Sequence, residues 1–158
     1  MKSTETEAPD HPNLPIKPPE LFALAIALGL GVHLFWPCAV RPAGWMAAGL
    51  VVVLLGAALI LWAVWEFRRH KTAVRPWKAT RVIVEGGPYA FSRNPIYISF
   101  ALIQVGIGLW SNQLAVVLMV IPAIIATRVL VIAREERYLA RKFGEPYREY
   151  MTRVRRWL

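Results

Sequence analysis

Apolar residues in this chain are concentrated in four long runs, and most polar residues fall between or after them. The runs cover residues 21–36, 45–65, 96–110 and 114–133. Apolar runs of this length with few charges are typical of helices that cross a lipid bilayer. Trp45 and Trp65 bracket the second run, as expected for side chains that anchor a helix at the membrane surface. The pattern predicts an all-α integral membrane protein with about four transmembrane helices.

The segments around the runs predict the domain organisation. Residues 1–19 combine prolines, acids and polar residues, which is typical of a flexible amino-terminal tail, and residues 20–158 form a single membrane domain. Ser111-Asn112 is a tight turn between the third and fourth helices. After the fourth run the chain becomes charged and helical, with a second short helix predicted over 147–158. Gly49 and Gly56 could allow another helix to approach the second one closely.

The charge distribution predicts the orientation. The chain is 56% hydrophobic and has a formal net charge of +9. Seven basic residues lie in the connection over 66–93 and eight follow the fourth run, whereas the two other turns carry only Arg41. Because basic loops stay on the cytoplasmic side, both termini should be cytoplasmic, and with no secretory signal we expect a bacterial inner-membrane location. Positive charge beside apolar runs indicates membrane lipids as partners and no nucleic acid.

Candidate chemistry gathers at the predicted cytoplasmic face. Two glycines, two prolines, two tyrosines and an arginine are packed into the stretch 86–97 at the membrane boundary. Arg128 lies inside the fourth run, seven residues before Glu135, so regular helical geometry puts the two on one face. Arg128 could instead extend to the interface, and Glu135 and Glu136 could belong to a solvated charged face. The residues alone indicate a polar pocket at a membrane face and do not specify a reaction.

Other kinds of site lack support in the sequence. His11, His33 and His70 are scattered without metal-ligand spacing, and Cys38 is the only cysteine, so we expect no metal site and no internal disulfide. No phosphate-binding loop or dinucleotide glycine pattern occurs.

The order of motifs resembles the isoprenylcysteine carboxyl methyltransferase family, whose wider relatives are the phospholipid N-methyltransferases. The resemblance rests on residues 81–89, 91–97, 134–136 and 143–150, in that order around an apolar hairpin. It implies an integral membrane enzyme that uses S-adenosylmethionine, releases S-adenosylhomocysteine and has no Rossmann domain. In this resemblance Glu135 matches the acid that holds the cofactor, and Asn94 replaces a histidine. The cofactor contacts it implies are Arg81, Val82, Ile83, Val84, Tyr89, Asn94, Pro95, Ile96, Tyr97 and Glu135.

The resemblance leaves the methyl acceptor open. Val131 stands where the family has a substrate-binding arginine, and Arg128 one turn earlier could substitute for it. We expect a lipophilic or lipid-linked acceptor with a carboxylate, for which Arg128 or Arg93 supplies the counter-charge. An amine acceptor, as in phospholipid N-methylation, would need a base such as Glu136. The alternatives are a nicotinamide-dependent sterol reductase and a non-enzymatic membrane scaffold.

Overall fold

All regular secondary structure in the described part of the chain is helical. A computed structural model describes residues 12, 14–40, 45–71 and 81–158. Part of the predicted tail (1–11 and 13), the turn at 41–44 and the middle of the basic connection (72–80) lie outside these residues. The elements are α1 (Pro18–Phe35), α2 (Trp45–Arg69), a 3₁₀ turn (Gly87–Ala90), α3 (Pro95–Trp110), α4 (Leu114–Leu118), α5 (Val120–Ala126), a π-helical turn (Thr127–Ile132), α6 (Ala133–Phe143) and α7 (Glu145–Arg153).

Each predicted apolar run forms a helix, which confirms the all-α membrane class. Three helical stretches of the described chain are long and apolar enough to cross a bilayer, namely α1, α2 and the stretch Leu114–Phe143. Helix α3 is apolar but has only 16 residues. At 1.5 Å per residue it measures about 24 Å, less than the hydrocarbon thickness of roughly 30 Å.

The fourth run departs from the regular α-helix that the sequence predicts. Helix α4 ends at Leu118, and Pro122 accounts for this because it has no N–H to donate to the Leu118 carbonyl. The π-helical turn then contains Arg128 and ends at Ile132, three residues before Glu135. The expectation that these two side chains share a face assumed α-geometry throughout, and the wider turn interrupts that geometry.

Helices α2 and α3 pack with their backbones close together at glycines. A Cβ atom added to Gly106 would lie 2.7 Å from the Val53 nitrogen and 2.8 Å from the Gly49 carbonyl oxygen. Gly56 likewise faces α3, at Ile103. The prediction that Gly49 and Gly56 admit a neighbouring helix is therefore confirmed. Because Gly49 meets the end of α3 and Gly56 meets its middle, the two helices run antiparallel, and the start of α3 lies at the same end of the bundle as the end of α2.

The two ends of the bundle differ in character. At one end Asn112, with φ +56°, forms the predicted turn, and its Oδ1 accepts a 2.9 Å hydrogen bond from the Val40 backbone N–H. The opposite end, here called the basic end, contains Arg68 and Arg69 of α2, the start of α3, and α6 with α7. Leu14 and Ile16, from the predicted tail, pack against buried residues near that end.

Helix α7 begins earlier and ends earlier than the predicted range 147–158. It starts at Glu145 with Pro146 in its first turn, a position that suits proline because no helical N–H bond is lost there. It ends at Arg153, and residues 154–158 leave the helix. This last stretch, here called the carboxy-terminal strap, runs back over the start of α3, as the contacts below show.

The glycine contact gives a stability prediction. Replacing Gly106 with alanine should lower the stability of the bundle by about 1–3 kcal/mol, because backbone atoms of α2 occupy the space that the methyl group needs. Gly31→Ala is the matched control, since nothing lies within 4 Å of a Cβ placed there. Thermal unfolding in detergent micelles measures both variants. Equal melting temperatures for the two would contradict the close packing of α2 and α3.

Candidate active site

The 3₁₀ turn at the basic end packs against a buried carboxylate of α2. Gly87 has φ +57°, a conformation that glycine adopts without strain. A Cβ at Gly86 would lie 2.6 Å from Glu66 Oε1, so only glycine allows this approach. Glu66 is 4% exposed, and its Oε1 lies 3.5 Å from Nδ1 of His70. The Gly-Gly-Pro-Tyr sequence thus folds directly over the end of α2.

A hydrogen bond between side chains joins α3 to α6. The Tyr97 hydroxyl donates to Glu135 Oε2 at 2.8 Å, and Tyr97 is 6% exposed. Its ring packs in a cluster with Val131 and Ile132. Two residues that are 38 positions apart are therefore held in contact at the basic end. The structure brings together the tyrosine and the acid that the sequence singles out.

Tyr89 of the 3₁₀ turn is held through its ring and its backbone, while its hydroxyl has no partner. The Tyr150 hydroxyl donates a 2.7 Å hydrogen bond to the Tyr89 carbonyl, and Phe67 contacts the ring edge-on at 5.1 Å. The buried Tyr89 hydroxyl makes no hydrogen bond to a described residue. Burial above all, with smaller effects of Tyr150 and Glu135, raises the pKa of Tyr89 above its ordinary value. Tyr89 is therefore a neutral O–H donor at physiological pH.

The carboxy-terminal strap is tied to the segment that precedes α3. The Arg93 backbone N–H donates to the Arg155 carbonyl at 2.9 Å, and Asn94 Nδ2 donates to the Arg156 carbonyl at 2.8 Å. Ser92 Oγ lies 3.3 Å from that same carbonyl and also accepts from the Asn94 backbone N–H. The Asn94 side chain, expected as a cofactor contact, thus holds the strap in this structure.

Three charged side chains meet where the strap passes α6, namely Arg93, Glu136 and Arg156 of the strap itself. Arg156 donates two hydrogen bonds to Glu136, at 3.1 and 2.5 Å, and Arg93 Nη2 lies 3.3 Å from Glu136 Oε1. The hydrogen bonds to Glu136 raise the pKa of the Arg156 guanidinium. The Arg93 side chain is only 9% exposed, and its Nε and Nη1 are buried without a hydrogen-bond partner among the described residues. Buried donors without partners are costly, so they mark a place where a ligand could bind.

The side chains of Tyr89, Tyr97 and Glu135 are here called the polar cluster, together with the neighbouring Arg93, Glu136 and Arg156. Of the remaining predicted residues, some pack beside this cluster and others are exposed. Val84 packs with Ala63 and Tyr89, and Ile83 packs against the tyrosines of α7, so this segment bridges α2 and α7. Arg81 and Val82 are exposed, whereas Pro95 is buried and Ile96 is half-buried beside Tyr97. Arg128 is exposed on the π-helical turn, and its side chain makes no hydrogen bond or ion pair to any described residue. The Arg128 side chain is therefore not bonded to the described residues of the polar cluster.

Two charged residues of the basic end, Glu66 and Arg156, were not singled out from the sequence. Glu66 is the first residue of the basic connection over 66–93, and a carboxylate at the end of an apolar helix is itself a signal of burial against a partner. Arg156 gave no signal, because it is one of eight basic residues in the terminal segment and its partner Glu136 is 20 residues away.

Comparison with known proteins identifies the family. The family model described as phospholipid methyltransferase matches residues 45–146, which is well over half of the chain and includes α2 through α6. The chain belongs to the phospholipid methyltransferase family. This confirms the resemblance seen in the motifs, since the family contains the isoprenylcysteine carboxyl methyltransferase-like membrane enzymes. The chain is also 44% identical over 63 residues to an uncharacterised protein of Haemophilus influenzae, covering 40% of this chain and all of that protein.

Membership of the phospholipid methyltransferase family implies a membrane methyltransferase that uses S-adenosylmethionine. The polar cluster fits such a cofactor on structural grounds. Glu135 offers a carboxylate oxygen beyond the one bonded to Tyr97, and Tyr89 offers a hydroxyl without a partner. A carboxylate and neutral hydroxyl donors suit the ammonium, carboxylate and ribose groups of the cofactor.

Proposed function

We propose that the protein transfers a methyl group from S-adenosylmethionine to a lipophilic acceptor within the membrane. One observation carries the proposal. The hydrogen-bonded pair Tyr97–Glu135 lies at the basic end of an apolar helical bundle, together with the unsatisfied hydroxyl of the buried Tyr89. A non-enzymatic scaffold has no need for buried polar groups that lack partners, because each of them lowers stability.

Different residues of the polar cluster and of its surroundings would bind different parts of the cofactor. Glu135 would hold the ammonium of the methionine part, with Tyr97 fixing the orientation of the carboxylate. The backbone of residues 81–84 and the hydroxyl of Tyr89 would contact the ribose and adenine. The bound cofactor supplies a methyl group on a positively charged sulfur, for which the faces of Tyr89 and Tyr97 are favourable surroundings.

An apolar groove supports a lipophilic acceptor. A cavity of ≈320 Å³ lies between α3 and α5, lined by residues such as Ile98, Leu102 and Ile124 and by Trp157 of the strap. Trp157 also packs against the cluster that contains Tyr97. The groove therefore runs beside the polar site on apolar helix surfaces, where an acyl or prenyl chain would be buried at about 0.8 kcal/mol per methylene.

The buried donors of Arg93 favour a carboxylate as the acceptor. Its Nε and Nη1 could bind an anionic oxygen, whereas the exposed Arg128, the other candidate, would have to turn inward to do so. A carboxylate is already nucleophilic, so the carbon–sulfur bond breaks as the carbon–oxygen bond forms and no proton is transferred. The enzyme then contributes position and the exclusion of water.

The family description favours N-methylation of a lipid amine as a second candidate. An amine must lose a proton on methylation, and Glu136 is the predicted base. Two guanidinium groups already bind Glu136 in this structure, which makes it a poorer acceptor for that proton. We therefore place O-methylation first.

The assignment of Glu135 predicts a loss of cofactor affinity in Glu135→Gln. Binding of S-adenosylhomocysteine, measured by calorimetry in detergent, should weaken at least about tenfold, because the ammonium loses a charge-assisted partner worth roughly 1.5–3 kcal/mol. Glu149→Gln is the matched control, since Glu149 is exposed on α7. Affinity equal to wild type in Glu135→Gln would remove Glu135 from the site.

The choice of acceptor is tested by labelled methyl transfer in native membranes. If the acceptor is a carboxylate, the product is a methyl ester, and mild base should release the label as methanol. The variant Arg93→Gln should reduce this transfer by at least about tenfold, while its binding of S-adenosylhomocysteine should persist. Arg68→Gln, at an exposed position on the same end of the bundle, should retain transfer. Label that survives base and is recovered in an amine headgroup would establish N-methylation instead.

A further inference from the structure

The carboxy-terminal strap contributes a tryptophan to both the apolar groove and the surroundings of Tyr97. Trp157 and Leu158 line the groove between α3 and α5. Trp157 also packs against the buried group formed by Tyr97, Val131 and Ile132. Its side chain is half-buried, whereas Leu158 is 79% exposed. The Trp157 ring is therefore a wall of the groove and also part of the packing around Tyr97.

The position of Trp157 is set by the bonds that hold the strap. The Arg155 carbonyl accepts a 2.9 Å hydrogen bond from the Arg93 backbone N–H, and the Arg156 carbonyl accepts one of 2.8 Å from Asn94 Nδ2. The Arg156 guanidinium is also paired with Glu136. Segments without regular structure are generally mobile unless contacts of this kind tie them down. The two residues before Trp157 are thus fixed to the start of α3, which holds the ring in a defined place.

The length of the groove is given by its wall on α3. Ile98, Ala101, Leu102 and Val105 line it at positions three and four apart, so they share one face of the helix. From residue 98 to residue 105 the helix rises about 10 Å, at 1.5 Å per residue. An extended chain advances roughly 1.2 Å per bond, because an extended residue with its three bonds spans roughly 3.3–3.6 Å. About eight or nine bonds of an apolar chain therefore fit along this wall.

The volume of the groove leads to a similar number of carbons. It measures ≈320 Å³, and its lining side chains are apolar. A water molecule occupies roughly 30 Å³ in the liquid, and a methylene group is of similar size, so the groove holds about ten such groups. A second chain of the same length would need about twice this volume. The groove therefore suits one acyl or prenyl chain and is too small for the two chains of a phospholipid side by side.

An aromatic wall matters here because the groove belongs to a membrane protein. A chain already in the bilayer has apolar surroundings wherever it lies, so hydrophobic transfer alone does not draw it into the groove. Preference for the groove has to come from close packing on a rigid surface. Among the lining residues that the structure describes, Trp157 is the aromatic one. An aromatic ring offers a large flat contact area and has few rotatable bonds, so little conformational entropy is lost when a ligand packs on it.

We propose that Trp157 is a positioning residue for the methyl acceptor, and that the acceptor carries a single apolar chain of which about eight to ten carbons lie between Trp157 and α3. The inference rests on the proposed function, because it takes the occupant of the groove to be the acceptor. A chain packed on this ring is held beside Tyr97, so its reacting end is brought next to the methyl donor. Without the ring the donor site remains, and the acceptor loses its fixed position.

Fluorescence quenching in detergent micelles tests the occupant of the groove. The probe is a fatty acid brominated in its chain, and the comparison probe is phosphatidylcholine with bromine at the same position of its chains. The quenching that is lost in Trp157→Phe gives the contribution of Trp157. At equal bromine content the single-chain acid should quench this contribution at least about threefold more strongly, and the same acid without bromine should reverse the effect. Equal quenching by the two probes would indicate ordinary contact with lipid chains and would overturn the proposal, as would quenching that the unbrominated acid leaves unchanged.

Labelled methyl transfer in native membranes tests the positioning role. Trp157→Ala should reduce transfer at least about tenfold, while binding of S-adenosylhomocysteine, measured by calorimetry, stays within about twofold of wild type. Trp157→Phe keeps an aromatic ring and should restore most of the transfer. Trp110→Ala is the matched control and should retain transfer, because Trp110 is an exposed tryptophan at the other end of α3.

Two results of the transfer experiment would contradict the positioning role. One is wild-type transfer in Trp157→Ala, and the other is a parallel loss of transfer and of S-adenosylhomocysteine binding, which would indicate a general structural role. A wild-type protein that neither binds S-adenosylhomocysteine nor transfers methyl groups would refute the proposed function, and the quenching experiment would still decide whether a single chain occupies the groove. Should Trp157→Ala fail to fold, Trp157→Phe and the reversal of quenching in the wild-type protein decide.

Discussion

The hydrogen bond from Tyr97 to Glu135 is the contact on which the proposed site depends. It places a carboxylate where the apolar bundle ends, and a carboxylate near a membrane needs a partner or a nearby cation. Tyr97 satisfies one oxygen, which leaves the other to bind a cationic group of a ligand. The pair also couples α3 to α6, so the acid cannot move away without breaking a part-buried hydrogen bond.

The rest of the fold supports this pair from three sides. The glycine contact between α2 and α3 fixes the start of α3, and the Gly86-Gly87 turn then packs on Glu66. The carboxy-terminal strap holds the segment before α3 through backbone carbonyls and through the ion pair of Arg156 with Glu136. Each support is made of groups that are buried or tied to the backbone, and such groups hold a site more rigidly than exposed pairs do.

Sequence reasoning reached the helices, and it singled out Tyr97 and Glu135, which the structure brings into contact, for different reasons. Apolar runs determine membrane helices almost directly, because the bilayer leaves the backbone few alternatives. Tyr97 and Glu135 came from the family resemblance, since no spacing rule relates two residues so far apart in the chain. The π-helical turn was missed because Pro122 indicates a disturbance but not its form. Arg156 was missed because only the path of the chain after α7 brings it to Glu136.

The central claim is that the carboxylate of Glu135, held by Tyr97, binds the amino-acid end of the cofactor. An experimentally determined structure with S-adenosylhomocysteine bound tests it most directly. The account predicts the ligand ammonium within hydrogen-bonding distance of Glu135, with the adenosine beside Tyr89. A ligand whose ammonium contacts Glu66 or another acid, with the Tyr97–Glu135 pair left empty, would contradict it.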